Sequence, residues 1–323
     1  MKVNDLKIAF IGVSHWHVPL YFAGLPENSV VAVSDPDPAI AERFGQQLHC
    51  KVYTDGLTLL DEIKPDFVFA FAPHCEMKAL SLELIARKVP FTMEKPMGMS
   101  YKEVAEIAEA AEAAKAFCAI PFVWRYSDTV AQLKESLLSG KIIHMSYRFI
   151  AGPPSRYLAT SGWMLSRATA GGGCMTNLGV HFIDMALHLT DSRDAQVLAS
   201  AYQYGEYDIE TYAASLLKLS SGASLTLETG YAYPMDEEVK RENRWTIVTE
   251  NGYYTLADNC LEAREFGKDT VRIPLSTDSD VYYPKFAAAT LDDYVNGRRP
   301  RAAIPEVLTV RGILDRMNEA ADA

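Results

Sequence analysis

The chain has 323 residues, 49% of them hydrophobic and 23% charged, with 31 Lys and Arg against 42 Asp and Glu for a formal net charge of −11. This length exceeds one ordinary core and suits two domains, and the acidic balance excludes the basic patch that nucleic acid or an anionic membrane needs. The five cysteines (Cys50, Cys75, Cys118, Cys174 and Cys260) form no C-x-x-C pair, which suits reduced thiols in a cytoplasmic protein with neither an export signal nor a membrane span.

From residue 7 to 94 short apolar runs alternate with helical patterns, and strands are expected at 8–11, 30–34, 52–53, 67–72 and 91–93. Asp37 ahead of Pro38 marks one helix start, and Ser100 with Glu103 is an S-x-x-E capping box opening another at Tyr101. Such alternation predicts parallel pairing, hence a Rossmann-type doubly wound sheet over residues 1–122. Beyond Gly140 the pattern becomes longer alternating strands at 141–151, 196–204, 212–219, 223–233, 244–250 and 253–257, with turns at Ser221-Gly222 and Asn251-Gly252. A helix is expected at 176–189, and two more at 284–296 and 305–321. Residues 123–323 therefore read as an α+β domain: a large open, mostly antiparallel sheet covered by helices on one face, with the last helices packing back on the first domain. Its bare face is expected to carry a homodimer or homotetramer contact.

The first strand runs into Gly12-Val13-Ser14-His15-Trp16-His17, where a dinucleotide fold carries G-x-G-x-x-G, but only the first glycine is present. With Ser14 and His17 in the other two places, phosphate binding rests on free backbone N–H groups at the following helix start. Asp35 ends the second strand at the position where a carboxylate accepts from the adenosine ribose and repels a 2′-phosphate, which favours NAD over NADP. His15 and His17, with His74 and Cys75, raise a metal site, but no third or fourth ligand has diagnostic spacing and no metal is expected.

Four segments stand in order along the chain: Ala72-Pro73-His74 after the fourth strand, Glu94-Lys95-Pro96 after the fifth, Trp124-Arg125-Tyr126, and Gly171-Gly172-Gly173 followed by Asn177-Leu178-Gly179-Val180-His181-Phe182-Ile183-Asp184. In these the chain resembles the Gfo/Idh/MocA oxidoreductase family, with its T-P-N turn, E-K-P tripeptide, R-[FY] segment and G-G-G-x-x-x-[DN]-x-G-x-H-x-x-D motif. The resemblance spans nearly the whole chain. It implies hydride transfer between NAD and a hydroxyl of a sugar, cyclitol or related polyol, with Lys95, His181 and Asn177 catalytic. Around the cofactor it places Gly12, Val13, Ser14, His15, Trp16, Asp35, Ala72, Pro73, His74, Glu94, Lys95 and Arg125. Around the substrate, Lys95, Arg125, Asn177 and His181 are joined by Arg156, Trp163 and Arg167 from the segment before Gly171.

The chemistry agrees with those roles, because oxidising a secondary alcohol needs a base, a positive group beside the developing alkoxide, and a hydride acceptor held close. Lys95 beside the crevice and His181, able to take a proton near neutral pH, fill the first two needs. Asn177 and His181, four apart, share one face of the expected helix. Asp184 reads as a structural carboxylate paired with its neighbours. Two departures stand out: Asn177 where many family members have aspartate, and Met77 where the family has a histidine beyond T-P-N. With the altered glycine loop they leave room for altered cofactor handling or lost catalysis; a non-catalytic NAD- and sugar-binding regulator and redox-assisted glycoside cleavage are the alternative readings.

Overall fold

The computed structural model describes residues 2–158, 161–234 and 240–322. Six strands, β1 (Ile8–Ile11), β2 (Val30–Ser34), β3 (Lys51–Tyr53), β4 (Phe67–Ala70), β5 (Phe91–Met93) and β6 (Cys118–Ala119), pair in parallel in the order β3-β2-β1-β4-β5-β6. β1 and β4 are buried along their whole length, which is why both read as unbroken apolar runs. Helices α1 (Val18–Tyr21), α2 (Pro38–Leu48), α3 (Gly56–Ile63), α4 (His74–Ala86) and α5 (Tyr101–Ala114) connect or follow them. Asp37 caps α2 by accepting from the N–H groups of Ala39 and Ile40. Half of the expected capping box forms at α5: Ser100 accepts from the Glu103 N–H, while the Glu103 carboxylate takes the Met99 N–H at 2.7 Å. Strand order reverses between β1 and β4, which opens a crevice at their C-terminal ends.

One expectation needs correcting in this domain. The fourth strand stops at Ala70 rather than 72, because Phe71 still pairs with Ile11 but the chain then leaves through Pro73 into α4. The helix after β1 is a single turn, α1, continued by the 3-10 turn Phe22–Gly24.

The second sheet is built from β7 (Ile142–Ala151), β8 (Ala195–Tyr204), β9 (Glu210–Leu219), β10 (Ser224–Gly230), β11 (Arg241–Thr249), β12 (Gly252–Ala257), β13 (Cys260–Glu265) and β14 (Val271–Pro274). Its order is β14-β13-β12-β11-β7-β10-β9-β8, antiparallel throughout except for β7 with β10. β13 and β14 were not foreseen. The turn into β13 is Asp258-Asn259, with φ of 51° and 57°, the left-handed pair a type I′ hairpin requires but built without the glycine that signals it.

The remaining helices are α6 (Asp128–Gln132), α7 (Arg167–Ala170), α8 (Val180–Thr190), α9 (Tyr283–Val295) and α10 (Ile304–Ala321). α8 covers the inner face of the sheet, its Phe182 ring stacked on Tyr147 at 5.3 Å. The helix expected at 176–189 begins differently, as a π-helical turn at Met175–Gly179 that hands over to α8. α9 packs on α1, and α10 lies across both β8 and α5.

Candidate active site

At the crevice lies a cleft of about 580 Å³ lined by Gly12, Ser14, Asp35, Ala72 and Pro73. Gly12 has φ of +80°, and a Cβ there would stand 2.1 Å from the Phe71 carbonyl oxygen, so both conformation and space demand glycine. The Asp35 carboxylate accepts the Ser14 N–H at 2.6 Å and the Asp37 N–H at 3.0 Å. Most of the loop donors expected to be free are taken by this arrangement, the Trp16 N–H alone having no acceptor among the described residues. Gly12 and Val13 donate to Ser34 O, His15 to Gly12 O, His17 to His15 Nδ1 and Val18 to His15 O. A phosphate would have to draw the Ser14 N–H away from Asp35, and one helical turn supplies little dipole to assist it.

The cleft still fits a dinucleotide by position, by its glycine-permitted floor and by the carboxylate at the end of β2. Glu94 lines neither this cleft nor the pocket beside it: its Oε1 accepts from Tyr21 Oη at 2.8 Å and lies 3.1 Å from His17 Nδ1, while its Oε2 is buried with no partner among the described residues.

A second pocket, about 260 Å³, lies between the domains. Trp16, His17 and Lys95 come to it from the first domain, Arg156, Tyr157, Asn177 and His181 from the second, and Tyr283 from α9. Lys95 follows β5 at the C-terminal edge of the sheet, is 3% exposed, and donates from Nζ to Asn177 Oδ1 at 2.8 Å and Asn177 O at 2.9 Å. The Asn177 amide donates in turn to the hydroxyls of Tyr157 at 2.9 Å and Tyr231 at 3.0 Å. The three glycines upstream explain how Asn177 gets there. A Cβ on Gly173 would meet Glu210 O at 2.1 Å, and the Glu210 carboxylate accepts the N–H groups of Gly173 at 2.6 Å and Met175 at 3.0 Å. This close approach to β9 anchors the π-helical turn that carries Asn177.

Burial controls the charges. It pushes the Lys95 ammonium down from 10.5 to about 8, with the Glu94 carboxylate beside it opposing part of the fall. Burial likewise pushes His181 well below its ordinary value, and the Lys95 charge adds to that. The expectation that His181 takes a proton near neutral pH is therefore corrected: its imidazole is neutral there, and its buried Nδ1 has no partner among the described residues. Burial would raise Glu94, but His17, His15 and Lys95 outweigh it and hold the carboxyl well below the usual range. His15 and His74 are both pushed down by burial, His74 to about 3.

Lys95, Asn177, His181 and Arg156 thus come together in one pocket, and Gly12, Ser14, His15, Asp35, Ala72 and Pro73 in the neighbouring cleft. Trp16 lines the pocket rather than the cleft. Trp163 lines the cleft instead, packed 4.8 Å from His74 and 6.2 Å from Trp16. Val13 is buried beneath the loop, and His74 is turned to Ala170 O at 2.6 Å.

Two predicted residues are placed elsewhere. Arg125 forms a two-pronged ion pair with Asp184, at 2.9 and 2.7 Å, and donates to Arg301 O. Arg167 binds Asp208 through its backbone and Asp322 through its side chain. His15, His17 and Glu94 bring ligand atoms within 4.8 Å of one another, the one such group among the described residues. His17 is already tied there to Glu94 and to Tyr283 Oη at 2.9 Å, and His74 and Cys75 are not part of it. Sequence reasoning missed Tyr157, Tyr283 and the Arg241–Asp280 pair. Tyr157 adjoins Arg156 and was within reach of inspection, whereas Tyr283 lies 266 residues from His17 and no local pattern links them.

No curated protein matches the chain in sequence. Solved structures match over 98% of it: an oxidoreductase from Agrobacterium radiobacter in complex with NAD+, L-tartaric acid and magnesium (18% identity, 96% of that chain, TM-score 0.85), and a UDP-N-acetylglucosamine 3-dehydrogenase from Acidithiobacillus ferrooxidans (17%, 98%, 0.81). A levoglucosan dehydrogenase in complex with NADH and levoglucosan matches equally far (98% of this chain, 14% identity, 97% of that chain, 0.85). Residues 6–122 match the model of an oxidoreductase family with an NAD-binding Rossmann fold, and residues 128–255 match the GFO/IDH/MocA C-terminal domain. The chain belongs to the Gfo/Idh/MocA family of NAD-binding oxidoreductases.

Proposed function

We propose that this protein transfers hydride reversibly between NAD and a hydroxyl-bearing carbon of a sugar, cyclitol or related polyol, with Lys95 as the proton-handling group. The observation that carries this is the buried Lys95 ammonium, held to Asn177 in the pocket shared with His181. The neighbours named for levoglucosan and for a nucleotide sugar support the substrate class.

NAD, when bound, supplies the hydride acceptor. The chain's own residues do the rest. With a value of about 8, Lys95 is neutral in a useful fraction of molecules near physiological pH and takes the proton from the substrate hydroxyl at Nζ. Asn177 fixes the direction of Nζ, and being uncharged it leaves the amine able to lose its proton. Neutral His181 offers its unpartnered Nδ1 as a hydrogen-bonding position for the same substrate. Glu94, ionised and adjacent, offsets the ammonium once Lys95 is protonated. Ser14, Asp35, Ala72 and Pro73 are assigned to the cofactor, and self-association to the outer face of the eight-stranded sheet, which sedimentation velocity tests.

The test is NADH absorbance with a panel of polyols, cyclitols and aldoses. Turnover that disappears in Lys95→Ala supports the assignment, and binding without turnover across the panel overturns it. The assignment is metal-free: full activity after exhaustive chelation is expected.

A further inference from the structure

The basic side chains that line the inter-domain pocket are not equally provided for. Lys95 has Glu94 beside it and Asn177 Oδ1 as an acceptor. Arg241 is paired with Asp280 at 3.2 Å and Asp278 at 3.4 Å. Arg156 differs. Among the described residues its one polar bond runs from Nη2 to the Tyr157 hydroxyl at 2.5 Å, its buried Nε has no partner, and no carboxylate pairs with it. Its guanidinium carbon lies 4.6 Å from the Tyr157 ring centroid and 5.4 Å from that of Tyr231, so two aromatic faces hold the group in place.

The guanidinium is half-buried, but its Nε is a buried donor without an acceptor among the described residues, and a ligand acceptor would satisfy it. A guanidinium presents a planar fork, and the matching fork is a carboxylate. The group is also fixed relative to the chemistry. Three hydrogen bonds in series, Arg156 to Tyr157, Asn177 to Tyr157 and Lys95 to Asn177, connect the guanidinium to the ammonium. Since Tyr157 Oη accepts from both Arg156 and Asn177, its own proton remains available for donation.

We propose that this pocket takes a polyhydroxy acid, of the aldonate, uronate or hydroxy-acid class, whose carboxylate binds Arg156 while its oxidisable hydroxyl meets Lys95. The hydroxyl end rests on the oxidoreductase reading above, and the carboxylate end on Arg156 alone. One guanidinium with no carboxylate partner among the described residues matches a monoanionic carboxylate better than a phosphate dianion, since Arg241 is already neutralised by its two aspartates.

The experiment uses the full-length protein with NADH, and reads ligand binding from the fluorescence of the pocket tryptophans Trp16 and Trp124. The ligands are glucose with gluconate and glucuronate, galactose with galacturonate, L-tartrate, and glucose 6-phosphate. Acids are expected to bind roughly 10- to 100-fold more tightly than the matched neutral sugars, the range of a charge-assisted hydrogen bond. In Arg156→Gln the ratio is expected to fall toward one, and Arg156→Lys is expected to restore part of it, with thermal melting confirming that each variant folds. Equal binding of acids and neutral sugars by the unmodified protein, tighter binding of the sugar phosphate, or a preference that survives in folded Arg156→Gln each overturns the proposal. Should neither variant fold, the unmodified protein decides by its acid-to-neutral ratio. Arg156-dependent acid binding with no NADH formed from NAD by any ligand leaves the carboxylate site standing and removes the oxidoreductase reading. NADH formed as readily from neutral sugars as from acids does the reverse.

Discussion

Replacing Asn177 by aspartate puts a carboxylate where an amide oxygen now accepts from Lys95 Nζ at 2.8 Å. An opposite charge at this range raises the value of a buried amine by roughly 1–3 pH units, and Lys95 starts at about 8. The variant carboxylate keeps its other partners, because the Tyr157 and Tyr231 hydroxyls that accept from the amide can rotate to donate. If neutral Lys95 is the base for alcohol oxidation, each unit removes about ninefold to tenfold of the reactive amine at neutral pH. Asn177→Asp is therefore expected to lower kcat/KM for oxidation roughly 10- to 1,000-fold near neutral pH, with the loss recovered as pH rises past the new value. The assay is the pH profile of kcat/KM with the best substrate of the panel, read as a displacement of the alkaline-rising limb. A limb that stays in place, or moves to lower pH, refutes the assignment of that limb to Lys95. A loss that is uniform at every pH refutes it too, by showing that the amide acts through geometry alone.

Other outcomes follow from the same site. Lys95→Met should abolish turnover yet stabilise the fold at neutral pH by up to about 3 kcal/mol, the equivalent of the fall from 10.5 to about 8. Because the folded value lies below the unfolded one, that penalty is fully present below about pH 8 and fades as pH approaches 10.5, so the thermal-melting gain should vanish over this window. Arg125→Ala should cost about 3–5 kcal/mol in urea denaturation by leaving the buried Asp184 carboxylate unpaired, with NAD affinity unchanged; weakened NAD binding in a fully stable protein would return Arg125 to the site. Asp35→Asn should weaken NAD roughly 10- to 100-fold by calorimetry and narrow the discrimination against NADP, whereas unchanged affinity would make Asp35 only a brace for Ser14.

The sheet architecture was legible because its signals are local and redundant: buried parallel strands without alternation, an Asp37-Pro38 helix start, longer alternating strands beyond Gly140. What was not legible depended on contacts at long range or on turns without their usual residue. β13 hides behind Asp258-Asn259, a left-handed pair made by two short polar side chains that tolerate that conformation nearly as glycine does. Arg125 looked like a site residue from its motif, yet its direction is set by Asp184, fifty-nine positions away. The motif residues Lys95, Asn177 and His181 do meet, but the periodicity that put Asn177 and His181 on one helical face gave the right company through the wrong geometry. A π-helical turn, imposed by the approach of Gly173 to Glu210, carries Asn177 instead.

That turn bears on what an amide does beside the lysine. Burial raises the Glu210 carboxyl above its ordinary value, and the N–H groups of the turn that donate to it offset part of that rise. The turn's position is thus set by a carboxylate that never enters the pocket. Asn177 then offers Lys95 an acceptor without a charge, and the two tyrosine hydroxyls fix which end of the amide is the acceptor. Had the buried partner been ionic, the ammonium would be stabilised and the proton harder to remove. An uncharged partner leaves desolvation unopposed except by Glu94, and that balance brings Lys95 down to about 8. The substitution that looks like a loss in the motif is, in this pocket, what keeps the amine able to exchange a proton near neutral pH.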